Sequence, residues 1–133
     1  MKGVVLPALF YALTVFAVGF VLGTIRVLIV VPWIGETAAL FAEIPIMIAV
    51  SFLVAKWVLS RWPVTPELKP RLAMGLVAFI VLMMCEAAIS LTFFGNSFTD
   101  HLAHYLKPQA WPGLAGQLLF AAIPALILGV RPN

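Results

Sequence analysis

Four long apolar stretches dominate the chain, and each is bounded by proline, glycine or charged residues. They cover about residues 4–31, 37–59, 72–94 and 112–130. A helix needs about 20 predominantly apolar residues to cross a hydrocarbon core about 30 Å thick. The pattern therefore predicts an all-α membrane protein, a bundle of four transmembrane helices that forms a single integral membrane domain over residues 1–133.

The ends of the first stretch need separate interpretation. Lys2 precedes it, as a basic residue precedes the apolar region of a signal peptide, but this apolar run is longer than such a region. We therefore expect a retained membrane helix that stops at Pro32 and Trp33, because proline disfavours a continuing helix.

A short helix is predicted between the third and fourth stretches. Phe98, Leu102, Tyr105 and Leu106 recur there at helical spacing. Such a pattern is typical of an amphipathic helix lying in the plane of a membrane surface. We expect this interfacial helix over about residues 97–106, in the outer loop.

Composition excludes the soluble classes of protein. Hydrophobic residues make up 64% of the 133 residues and charged residues 10%, whereas a soluble domain carries about 25% charged residues. The lipid bilayer is thus the expected partner, and nucleic acid is not, although the net charge is +3.

The basic residues predict the orientation in the membrane. Cytoplasmic segments of membrane proteins carry an excess of lysine and arginine. With four spans, one side holds Lys2, Arg61, Lys69, Arg71 and Arg131, with Lys56 able to reach it, and the other holds Lys107 and Arg26. The bias predicts that both termini face the cytoplasm (N-in, C-in).

Polar residues within the spans predict a site. An ionisable side chain at the centre of a span costs about 2.5 to 3.5 kcal/mol, and such residues usually mark function. At about 1.5 Å of rise per residue, Arg26, Glu43, Glu86 and Gln117 all fall at similar depths in the outer half of the membrane. We expect them to form one polar layer, and Glu36 shares a helix face with Glu43.

Glycine and proline are expected to shape this layer. Gly19 and Gly23 form a small-residue face that permits close helix packing, and Arg26 lies on the same face. Pro45 cannot donate a hydrogen bond to the carbonyl of Phe41, so we expect a kink or a freed carbonyl beside Glu43.

The charges of the layer do not balance. One arginine and two glutamates sum to a negative charge of one, so either a carboxyl group is protonated or a cation or another positive group completes the set. Arg26 is expected to pair with one glutamate, leaving the other as a proton or ligand site. The sequence leaves open which glutamate pairs, and whether the layer only fixes helix order.

Asp100, His101 and His104 form a second candidate site. The two imidazoles are three residues apart on the predicted interfacial helix, so they are candidate metal ligands or proton relays, with solvated surface residues as the alternative. No cofactor is predicted, because the chain lacks zinc-protease, nucleophile-elbow and phosphate-loop motifs.

Three short patterns carry a resemblance. They are Gly23-Thr24-x-Arg26, Pro32-x-x-Gly35-Glu36 and Glu43-x-Pro45-Ile46-Met47. Together they resemble uncharacterised short four-helix proteins of the bacterial inner membrane, with the best likeness over the first two spans. The resemblance implies a bacterial cytoplasmic membrane and no particular activity.

Three functional hypotheses follow. The first is an accessory or binding protein whose polar layer recognises a polar group from the outer leaflet or from a partner helix. The second is a proton- or cation-coupled small transporter protomer, and the third is a membrane-embedded enzyme acting on lipids, with a non-enzymatic role favoured. A homo-oligomer or a larger membrane complex is a further possible partner, and the transporter hypothesis requires a homo-oligomer because four helices are few for alternating access.

Overall fold

The computed structural model describes residues 2–93, 95–107 and 111–129, and most of these residues are helical. Within these ranges there is no strand, so the all-α prediction is confirmed. The elements are α1 (Lys2–Ile25), a π-helical segment (Arg26–Val30), α2 (Val31–Ile34), α3 (Glu36–Arg61), α4 (Leu68–Thr92), α5 (Phe98–Tyr105), α6 (Trp111–Leu126) and a 3-10 turn (Ile127–Gly129).

Three helical stretches are long and apolar enough to cross a membrane. They are Gly3–Ile34, Glu36–Arg61 and Leu68–Thr92, while the apolar helix Trp111–Leu126 is shorter. Large apolar side chains point outward from each of the three, as at Leu13, Leu53 and Leu76, which are 50%, 65% and 59% exposed. By length and composition, these helices fit a helical membrane protein, as predicted.

The prediction that Pro32 ends the first helix is wrong. The helix continues to Ile34 through the π-helical segment, in which the N–H of Val31 donates to the carbonyl of Arg26, five residues back. A proline ring clashes with the carbonyl four residues before it in an α-helix. The wider π turn accommodates that ring without ending the helix.

Gly35 makes the turn between α2 and α3 on its own. Its φ of 88° lies in the left-handed region that glycine adopts without steric cost. Its N–H donates to the carbonyl of Val31 at 2.9 Å, and its carbonyl accepts from the N–H of Ala39 at 3.1 Å. The first two long helices therefore form one tight hairpin.

The other boundaries lie close to the predicted ones. Proline is tolerated in the first turn of a helix, so α4 begins at Leu68, ahead of Pro70, and it ends at Thr92. The α-helical part of the last stretch is Trp111–Leu126; residues 94 and 130 of the predicted bounds, and Arg131, lie outside the described residues. Helix α3 continues through Pro45, which is exposed.

Helices α1 and α6 each pack against both α3 and α4. The buried core lies toward the end of the molecule that holds residues 62–67, which we call the loop end. The opposite end, at Gly35, is the turn end. The core comprises Val4, Ala8, Tyr11, Ala12, Val15, Ala55, Val58, Val64, Met74, Ala78, Leu82, Phe120 and Ile123.

The tightest approach at a glycine is at Gly75, which the sequence analysis did not single out. A Cβ atom there would lie 1.8 Å from the carbonyl oxygen of Ala121 in α6. At Gly19 it would lie 3.3 Å from Cε of Met47, and at Gly23 3.8 Å from Nη2 of Arg26. Gly19 thus packs on a side chain, whereas Gly75 packs on the backbone of a neighbouring helix.

Side chains at the loop end bond to the backbone of α6. The Tyr11 hydroxyl donates to the carbonyl of Phe120 at 2.6 Å. Because Pro124 has no N–H, this carbonyl lacks the donor that an α-helix would normally supply. Tyr11 therefore completes the hydrogen bonding of a helix interrupted by proline.

Arg71 acts at the same end. It is only 8% exposed, and its Nη1 and Nη2 donate to the carbonyls of Pro124 at 3.0 Å and Val64 at 3.5 Å. The sequence pattern predicts for this arginine only a position at a membrane surface. The structure shows that it also joins α4 to α6 and to the loop.

Candidate functional site

A cavity of about 300 Å³ lies between α1, α3, α4 and α6, on the turn-end side of the core. Arg26, Glu43, Glu86 and Gln117, the four residues of the predicted polar layer, all line it. The remaining wall is mainly apolar. Residues that the sequence spaces over 92 positions thus line one space.

Arg26 and Glu43 form an ion pair on one side of the cavity. Nε of Arg26 donates to Oε2 of Glu43 at 2.5 Å, and the two side chains are 26% and 18% exposed. Arg26 is the first residue of the π-helical segment, and π turns are frequent at functional sites. Among the described residues, its Nη1 and Nη2 groups have no hydrogen-bond acceptor, so they remain available as donors.

Glu86 is held by neutral donors. The Tyr105 hydroxyl donates to Oε1 at 2.7 Å, and the Gln117 amide donates to Oε2 at 2.5 Å. No lysine, arginine or histidine nitrogen lies within 4.0 Å of this carboxyl group in the described part of the chain. The pairing left open by the sequence is thus Arg26 with Glu43, and Glu86 is the acid without a cation.

Gln117 carries an unused acceptor. Its Nε2 bonds to Glu86, whereas its Oε1 is buried without a hydrogen-bond partner in the structure. A buried acceptor without a partner costs about 1 to 3 kcal/mol. A hydrogen-bond donor on a bound ligand would offset this cost.

Helix α5 brings Tyr105 to the cavity residues, which the sequence analysis did not foresee. The predicted helix over 97–106 is present as Phe98–Tyr105, and Ser97 caps it by accepting from the N–H of Asp100 at 3.1 Å. Burial, followed by the hydrogen bond and charge of Glu86, raises the pKa of the Tyr105 hydroxyl above its usual value. Tyr105 therefore remains a hydrogen-bond donor at neutral pH.

The candidate metal ligands on α5 do not form a three-ligand set. In residues 2–93, 95–107 and 111–129, no group of three or more His, Cys, Asp or Glu side chains is placed to hold a metal ion. His101 is buried, and its ring stands edge-on to that of Tyr105 with 5.0 Å between the ring centroids. Asp100 and His104 are exposed. His101 thus serves to pack α5.

The remaining predicted residues have different positions. Gly19 and Gly23 line the cavity beside Arg26. Glu36 is exposed at the start of α3 and is not part of the cavity wall. Pro45 lines a separate apolar groove with Ile48 and neighbouring residues. It is not among the residues that line the cavity.

Comparison with known proteins adds no assignment. No family model, curated protein or solved structure matches the chain. The resemblance to short bacterial inner-membrane proteins therefore stays a prediction. What the site does must be inferred from its own geometry and charge.

Proposed function

We propose that the chain is a small integral membrane protein that binds an amphipathic ligand in this cavity. Arg26, Glu43, Glu86 and Gln117 recognise the polar group, and the apolar wall takes the rest of the ligand. The observation that carries the proposal is that the polar residues surround a cavity of about 300 Å³, which is at the lower end of the usual range for ligand pockets.

The unused hydrogen-bonding groups support a ligand rather than a purely structural layer. A layer that only joins helices is expected to pair Arg26 with both acids. Instead, Arg26 bonds Glu43 through Nε alone, and Glu86 bonds to neutral donors. The cavity therefore presents donors on one wall and acceptors on another, which a ligand can engage.

The shape of the cavity supports a ligand with an apolar part. Phe16, Phe20 and Phe120 are among the residues of the apolar wall. On the α6 side, Gly113 and Gly116 line the same space, and a Cβ atom at either would meet nothing within 4 Å. An alkyl chain or small ring beside the polar group fits these surroundings.

For the membrane arrangement, we propose four spans. Helix α6 has 16 residues, which is about 24 Å at 1.5 Å per residue, and the following 3-10 turn adds about 6 Å. The total is about the thickness of the hydrocarbon core. The basic residues favour N-in, C-in orientation, α5 is then an interfacial helix at the outer surface, and the resemblance favours a bacterial cytoplasmic membrane.

Binding is the step that the competing hypotheses share. A cation-coupled transporter and a lipid-acting enzyme would both use the same carboxylates, so both remain predictions that depend on an occupied cavity. A test of occupancy therefore comes first.

The test is a substitution on α6 that fills the cavity with a larger side chain. In the Gly116→Leu variant, the new side chain extends into open space, so the fold is expected to persist while bound amphiphile is lost. The measurement is native mass spectrometry of protein purified in mild detergent from bacterial membranes, which counts retained amphiphiles. The wild type is expected to retain one and Gly116→Leu none.

Gly3→Leu is the matched control, because Gly3 also has nothing within 4 Å but is exposed and far from the cavity. It is expected to retain ligand as the wild type does. Equal retention by Gly116→Leu and the wild type, or no retention by the wild type even after incubation with bacterial lipid extract, would contradict the proposal.

A further inference from the structure

One acid in the cavity has no partner of opposite charge. Arg26, Glu43 and Glu86 are the charged residues that line it. Arg26 and Glu43 neutralise each other through their ion pair. Glu86 is left without a positive partner, in surroundings where charges interact more strongly than in water.

The bonds around Glu86 hold the carboxylate without neutralising it. Tyr105 and Gln117 each donate to one of its oxygens, and neither brings a positive charge. Two donors on one carboxyl group suit its ionised form, which accepts at both oxygens. A bound cation would favour that form and supply the missing positive charge.

Gln117 indicates which kind of cation fits the site. Its Oε1 is buried and lacks a partner in the structure, and the same amide bonds to Glu86 through Nε2. An ammonium group has several N–H donors, so it can bond to a carboxylate and to an amide oxygen together. A quaternary ammonium group has the charge but no N–H donor.

Resting on the proposed binding function, we propose that the ligand is an amphipathic amine whose protonated primary or secondary amino group binds Glu86 and Gln117. Its apolar part lies against Phe16, Phe20 and Phe120, which line the same cavity. An anionic headgroup would use the free Nη groups of Arg26, but it would raise the excess negative charge of the cavity.

The histidines of α5 set the conditions of the test. The ring centroids of His101 and His104 lie 5.0 and 6.1 Å from that of Tyr105, which bonds to Glu86, so a positive charge on either histidine would compete with the ligand. The test is therefore done at pH 8, above the ordinary titration range of histidine, where an alkylamine is still protonated.

The experiment compares three probes with the same alkyl chain: dodecylamine, dodecyltrimethylammonium and dodecyl sulfate. Their dissociation constants are measured by titration calorimetry on protein in phosphatidylcholine nanodiscs, with empty nanodiscs subtracted. We expect the amine to bind most tightly, the trimethylammonium more weakly, and the sulfate weakest. Glu86→Gln is expected to weaken amine binding by about tenfold or more, because a charged hydrogen bond becomes neutral.

Glu36→Gln is the matched control, since it removes an exposed acid outside the cavity, and we expect unchanged amine binding. The proposal is overturned by dodecyl sulfate binding as tightly as the amine, or by a folded Glu86→Gln protein with wild-type amine affinity. Either result would still leave an amphiphile in the cavity and the proposed function intact. If Glu86→Gln fails to fold, the order of the three probes on the wild type decides.

The experiments give a different result if the proposed binding function is itself wrong. If none of the three probes binds the wild-type protein, and Gly116→Leu changes nothing in the mass spectra, both proposals are wrong. Binding of one probe that Gly116→Leu abolishes supports the cavity, whichever head group is preferred.

Discussion

The two ends of the molecule use polar side chains in different ways. At the loop end, Tyr11 and Arg71 donate to backbone carbonyls of α6 and of the connecting loop. Toward the turn end, Arg26 and Glu86 bond to other side chains around a cavity. The first set joins helices through their backbones, and the second surrounds a cavity. Each set includes one buried polar atom without a partner, Nε of Arg71 in the first and Oε1 of Gln117 in the second.

On the proposed binding function, the loop end serves stability and the cavity serves recognition. Carbonyl positions follow from the helix backbone, so a side chain that bonds to one fixes the distance between two elements. Bonds between side chains tolerate rotamer changes and leave further polar atoms free. We therefore expect substitutions at the loop end to affect folding and substitutions near the turn end to affect binding.

The largest expected effect is at Gly75. In Gly75→Ala, the new methyl group would overlap the carbonyl oxygen of Ala121, and neither backbone can move without disturbing the core. Overpacking of this kind costs about 3 kcal/mol. The measurement is the free energy of unfolding in mixed micelles titrated with denaturing detergent.

Gly116→Ala is the matched control for that substitution. Its Cβ atom meets nothing within 4 Å, and alanine is favoured over glycine in helices by about 1 kcal/mol, so we expect equal or greater stability. If Gly75→Ala were as stable as Gly116→Ala, the close approach of α4 and α6 would be wrong.

An intermediate effect is expected at the two tyrosines. Tyr11→Phe removes the donor to the Phe120 carbonyl, and an unpartnered buried carbonyl costs about 1 to 2 kcal/mol. Tyr105→Phe leaves Glu86 bonded to Gln117 and is expected to cost under about 1 kcal/mol. Thermal unfolding in detergent measures the stability of both variants. A larger loss of stability in Tyr105→Phe than in Tyr11→Phe would contradict the contrast between the two ends.

The smallest effect is on the ionisation of Tyr105. Its pKa is raised by burial and by Glu86, so we expect phenolate absorbance to rise only above the ordinary value of about 10. A raised pKa means that the contribution of this hydroxyl to stability is complete below pH 10 and is lost as the pH rises through the pKa of the folded state. Tyr11→Phe leaves Tyr105 as the tyrosine observed, since the chain has 2 tyrosines.

Removing the acid provides the control for this titration. In Tyr11→Phe/Glu86→Gln, the pKa of Tyr105 is expected to move part of the way back, because burial, the larger cause, remains. An ordinary pKa in the Tyr11→Phe protein, or no change on removing Glu86, would contradict the hydrogen bond between α5 and α4.

The helices could be predicted from the sequence to within a few residues, because lipid exposure requires long apolar runs that are visible locally. Pro32 is the instructive exception. Proline excludes an α-helical hydrogen bond, but the sequence does not indicate that a π turn will replace it. The result places Arg26 at the start of that turn.

Four residues of the candidate site could be predicted from the sequence, but their hydrogen bonds could not. Depth along a helix follows from counting residues, so Arg26, Glu43, Glu86 and Gln117 were expected together. Which acid pairs with Arg26 depends on which helices are neighbours in space. Contacts such as that between Tyr11 and Phe120, 109 residues apart, depend on the same information, and so do Gly75 and Tyr105.

The single-residue turn at Gly35 has a mechanical consequence for the cavity. It connects the helical stretch that carries Arg26 directly to α3, which carries Glu43. The two helices therefore cannot slide along each other without breaking the hydrogen bonds of the turn. Longer connections separate α4 and α6 from this hairpin and from each other. We expect the hairpin to hold Arg26 and Glu43 at a fixed spacing on one side of the cavity.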